Sequence, residues 1–171
     1  FCAFMLYLLM MVMGKDIFGR LASMISVAGL GAQSLAIILR WVESYQLGIG
    51  HAPFSNLYES LIFFSWTLTL LYLIVEWRTK NRTLGAFVMP LAFLAMAYAS
   101  FSPNITSRIQ PLIPALKSNW LIAHVITCFF GYAAFAVAFG ISILYLMKQK
   151  ETDEKSGLRS HLPGAGFLDE L

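Results

Sequence analysis

Trp120 and His124 stand four residues apart at the head of a long apolar run that ends near Met147. In a helix this spacing puts both side chains on one face, a turn apart. An ionisable ring in a lipid-like run is costly and usually marks a site or a buried partner. Neutral imidazole is a common protein ligand of haem iron, and a tryptophan one turn away can pack against a flat macrocycle. The plainer reading is a tryptophan anchored at the membrane interface, beside a histidine hydrogen-bonded to a neighbouring helix. Spacing alone leaves these two readings level.

The second histidine lies in "GIGHAPFSNLYESL", Gly48 to Leu61. Much of that stretch has a structural explanation. Asn56 can cap a helix, and Glu59, three residues on, completes a capping box. Glu59 therefore reads as a cap rather than a catalytic acid. His51 reads as a loop residue first and as a second ligand second. His161 falls in a polar tail. Cys2 and Cys128 are far apart, each inside an apolar run, and form neither a CxxC pair nor a metal cluster. Asn104-Ile-Thr106 matches a glycosylation sequon, a pattern frequent by chance. The sequence shows no nucleophile elbow, phosphate loop or paired carboxylates within one segment.

The elements that must position these residues are apolar. Hydrophobic residues make up 58% of the 171 and charged ones 12%, and mean hydropathy is +0.70. An ordinary soluble domain is about half apolar and a quarter charged, so the expected solvent is the bilayer. Five apolar segments follow one another: 1–13, 21–42, 57–77, 84–101 and 120–147. The first opens directly on Phe1 and reads as a helix lacking its beginning. The fourth is near the lower limit for a span and carries Pro90, which a bundled membrane helix tolerates. The expected fold is all-α, a polytopic transmembrane helix bundle of about five spans with the first truncated. Residues 1–147 form its membrane domain, and 148–171 a cytoplasmic linker leading to another element.

Charge orients the bundle. The breaks after segments one, three and five hold Lys15, Arg20, Arg78, Lys80, Arg82, Lys148, Lys150, Lys155 and Arg159. The other side holds Arg40, Arg108 and Lys117. This bias places the first set in the cytoplasm and accounts for the net charge of +3 without a nucleic-acid partner. Two loops, 43–56 and 102–119, then face out. The second is apolar enough to lie along the membrane surface. Small residues four apart suit helix contacts in lipid: Ala22/Ser26, Ala28/Ala32, Ala134/Ala138 and Ala136/Gly140.

Taken together, "GHAPFSNLYESLIFFSW" and "IPALKSNWLIAHVITCFFGYAAF" resemble the CcsA/ResC family of system II cytochrome c maturation. "FLDEL" resembles the approach to that family's next helix. The resemblance implies a protein that handles haem b as cargo at the outer face of the membrane and assists its attachment to apocytochrome c. It also implies a CcsB/ResB-type membrane partner and residence in a bacterial plasma membrane, or in a thylakoid membrane if the source is a plastid. Two external histidines flanking a tryptophan-rich segment are thought to ligate iron in the family, and His124 matches the first. Trp120, Tyr132 and the apolar second loop are then expected to shape or cover that site, while His51 matches a motif position without an assigned ligand role. The tryptophan-rich segment should follow "FLDEL", where the sequence stops. This portion is therefore expected to belong to a cytochrome c synthase system without being active alone. The alternative classes are a b-type cytochrome and a structural or transport subunit of a membrane complex.

Overall fold

The structure, a computed structural model, describes residues 1–112 and 118–149. Residues 148 and 149 of the expected linker continue α5, and the rest of it, with His161 and "FLDEL", lies outside the described residues, as do 113–117 of the second outer loop. Five α-helices make up the fold: α1 Cys2–Met13, α2 Asp16–Gln46, α3 Leu57–Thr79, α4 Gly85–Phe101 and α5 Asn119–Gln149. Three of them, α2, α3 and α5, are long and apolar enough to cross a membrane. At 1.5 Å per residue, the 31 residues of α2 or α5 reach about 46 Å, beyond the roughly 30 Å of a hydrocarbon core. The shorter apolar helices, α1 and α4, have 12 and 17 residues.

The helix limits follow local chemistry. Gly14 ends α1 in the left-handed region (φ 64°), where its N–H donates to Met10 O. Asn56 caps α3 as its spacing predicts, with its side-chain oxygen accepting the Glu59 N–H at 2.9 Å. Pro90 sits inside α4 without ending it.

α3 is the hub. It packs on α4 and α5 and also meets α2, while α1 packs against α2 and α4. The core runs through Tyr7, Leu68, Tyr72, Val88, Ala133 and Leu144. Alanines 86, 92, 95 and 99 line the buried side of α4 and let its backbone approach α3 closely. Polar side chains tie the helices where water is absent. Ser65 Oγ donates to Ala92 O at 3.1 Å, and Trp66 Nε1 donates to Ser34 Oγ at 2.8 Å. Of the small-residue pairs, Ala22/Ser26 is buried and Gly140 packs on Val88 and Leu84. Ala28/Ala32 and Ala134/Ala138 face outward instead, because α2 and α5 flank the hub and bury one side only.

The two ends of the bundle are chemically distinct. One cavity, of about 190 Å³, gathers Asp16, Lys80, Asn81, Arg82 and Thr83 from the α1–α2 and α3–α4 turns. The opposite end gathers the α2–α3 loop, loop 102–112 and the head of α5. Basic residues therefore cluster at the end that the charge bias assigns to the cytoplasm.

Candidate functional site

At the outer end, the capping box of α3 does more than start a helix. Glu59 is 2% exposed. Its Oε2 accepts the Ser55 N–H and hydroxyl, both at 2.7 Å, one residue earlier than the simplest box. Its Oε1 accepts Arg40 Nε at 2.8 Å from α2. Arg40 also lays its guanidinium over the Tyr58 ring, 5.2 Å from the centroid, and donates through Nη2 to Ser107 O at 2.7 Å. One arginine thus joins α2, α3 and the second outer loop.

His51, in the α2–α3 loop, is 8% exposed. Its backbone N–H donates to Ser44 Oγ at 3.1 Å. Its ring nitrogens each face a carbonyl at 2.8 Å: Nδ1 that of Ala52, and Nε2 that of Gln110. A neutral ring can donate to only one of these oxygens, and a doubly protonated ring to both. Gly48 and Gly50, at φ 73° and 68°, fold the preceding chain so that the N–H groups of Ile49 and Gly50 both reach Ser44 O. A cavity of about 250 Å³ lies here, lined by Trp41, Tyr45, His51, Phe54, Leu112 and Asn119 among others.

Trp120 and His124 occupy the opposite situation. Both are exposed on the open side of α5, with Trp120 at 84%, whereas Ala133, Val137 and Leu144 turn the buried side inward. The spacing argument holds: the two lie one turn apart on one face. The polar neighbour of the His124 ring among the described residues is Cys128, whose Sγ is 3.6 Å from Nε2. Tyr132 is exposed as well, its ring edge-on to Phe129 at 5.9 Å between centroids. His51 lines the outer cavity and His124 does not. Among the described residues, no group of three or more His, Cys, Asp or Glu is placed to hold a metal ion. A flat ligand on this face would meet one exposed imidazole and one exposed indole.

A second polar constellation escaped the sequence reading. Glu76, 7% exposed near the inner end of α3, accepts the Tyr7 hydroxyl at 2.8 Å and Arg82 Nε at 3.1 Å, and the Ser23 hydroxyl lies against it. Four parts of the chain meet there: α1, α2, α3 and the α3–α4 turn. The signal was a carboxylate at the end of an apolar run, which demands a partner.

Residues 54–171, well over half of the chain, match the family described as Cytochrome C assembly protein. The chain belongs to the cytochrome c assembly protein family. The matched stretch includes Glu59 and His124 and begins three residues after His51. Among the relatives of this family member is the cytochrome c biogenesis protein CcsA of Chlorella vulgaris. It is 45% identical over 118 residues, covering 68% of this chain and 36% of that protein. The CcsA of Pyropia yezoensis is 40% identical over 135 residues, covering 78% of this chain and 41% of its own. That of a Picosynechococcus species is 37% identical over 150 residues, covering 82% and 42%. The chain spans about two-fifths of the length of these curated relatives. No solved structure matches it.

Proposed function

We propose that this assembly-family chain handles haem as cargo at the outer face of the membrane, for covalent attachment to apocytochrome c. In this reading His124 supplies one axial bond to the iron, Trp120 flanks the macrocycle, and Tyr132 lies deeper on the same open side of α5. The observation that carries the reading is the contrast between the two outer histidines. Among the described residues the ring nitrogens of His124 face only the Cys128 sulfur, while both of those of His51 are engaged by carbonyl oxygens. His51 becomes a ligand only by releasing one of its carbonyls.

Haem supplies the reactive groups. The chain's own part is to present an imidazole at fixed height on a rigid helix and an indole beside it. The second iron ligand, a CcsB/ResB-type partner and the apocytochrome come from outside these residues. The outer face is periplasmic in a bacterium and lumenal in a thylakoid.

In cells that depend on the full-length protein for cytochrome c, His124→Ala should abolish covalent haem in the cytochrome on a haem-stained gel, with the membrane protein still present by immunoblot. Cytochrome c at the unsubstituted level would overturn the ligand role.

A further inference from the structure

Loop 102–112 has no helix or strand of its own beyond turns and bends, yet three side chains from other elements hold it, all by its backbone. Arg40 Nη2 donates to Ser107 O at 2.7 Å, Asn56 Nδ2 to Arg108 O at 3.4 Å, and His51 Nε2 faces Gln110 O at 2.8 Å. Each of these side chains is itself fixed. Arg40 is locked by the buried Glu59, Asn56 is the cap of α3, and the second ring nitrogen of His51 faces Ala52 O. Arginine suits this task because its fork reaches a carboxylate and a carbonyl at once. The described residues on either side of 113–117 meet at one place: Leu112, Ser118 and, from the start of α5, Asn119 and Leu121 line the same cavity as His51. Trp120 and His124 follow within that first turn and the next.

We propose that Arg40 and His51 are positioning residues of the outer site. They strap the second outer loop to the bundle by its carbonyls and so set the orientation in which the head of α5 presents Trp120 and His124. The inference rests on the reading of His124 as a haem ligand, and its loop-holding half can be measured without haem.

The test uses the full-length protein in detergent, with Arg40→Lys and His51→Ala beside the unsubstituted form. Lysine keeps a cation opposite Glu59 but loses the fork, so Arg40→Lys should unfold near the normal temperature. Tryptic cleavage after the exposed Arg108 needs the loop to leave its seat. Arg40→Lys should be cut there about tenfold faster, the effect of losing one hydrogen bond from a charged group, and His51→Ala about fivefold faster, the effect of losing an ordinary one. With haem supplied, both should shift or weaken the Soret band. A double variant, Arg40→Ala with Glu59→Gln, removes the charge pair without leaving an unpaired carboxylate and should match Arg40→Lys. Cleavage at the unsubstituted rate in all variants overturns the strap. Faster cleavage with an unchanged haem spectrum overturns the positioning role. If the unsubstituted protein takes up no haem, the proposed function fails, and the cleavage rates alone decide whether the strap exists.

Discussion

Glu59, a buried carboxylate in the first turn of α3, holds both Ser55 and Arg40 of α2. The Asn-x-x-Glu spacing predicts a cap, and Asn56 is one. The pairing of Glu59 with Arg40 was not legible, because 19 residues and a double-glycine loop separate them. The nearly buried carboxylate has a specific consequence. Glu59→Ala strands Arg40, whose side chain is only 18% exposed, and removes the acceptor for Ser55, so it should cost about 3 kcal/mol. Glu59→Gln retains an acceptor and should cost less. Thermal unfolding in detergent measures both, and equal losses would mean that the retained acceptor contributes nothing and that the charge opposite Arg40 carries the whole effect. His124 was readable from spacing as far as its face. Its exposure was not, since that depends on which side of α5 meets α3.

At the scale of the element, α3 carries the fold and α4 approaches it through small residues. The apolar segments gave the helices to within a few residues, because α2 and α5 extend past their apolar stretches into polar turns. Which small residues face inward was only partly readable, since packing decides it. Three glycines rank the contacts. A Cβ on Gly85 would meet the Tyr72 hydroxyl and approach Tyr7 Cγ to 2.7 Å. Both rings are buried and held, so Gly85→Ala should lose about 2–3 kcal/mol as α4 is pushed off α1 and α3. A Cβ on Gly140 would lie 3.1 Å from a Val88 methyl and 3.2 Å from a Leu84 methyl. Those groups can yield, so the loss should be about 1 kcal/mol. Gly29 has nothing within 4 Å, and Gly29→Ala should be neutral or stabilise by up to about 1 kcal/mol through helix propensity. Unfolding temperatures in the reverse order would contradict the packing described here.

Taken whole, the molecule is a bundle with an inner end tied by Glu76 and an outer end tied by Glu59. Each carboxylate sits near the end of α3 and draws side chains from its neighbours. The inner knot was missed because its members, Tyr7, Ser23, Glu76 and Arg82, come from four segments that no local pattern connects. The outer one lies at the end where α5 begins, the end that the charge bias turns away from the cytoplasm. In the proposed reading, this scaffold presents one candidate iron ligand, His124, on α5. The direct measurement is the absorption spectrum of haem-loaded full-length protein beside His124→Gly, with and without added imidazole. The account predicts that His124→Gly loses or shifts the Soret band and that imidazole restores it, whereas an unaltered spectrum in His124→Gly would show that the iron never rested on this residue.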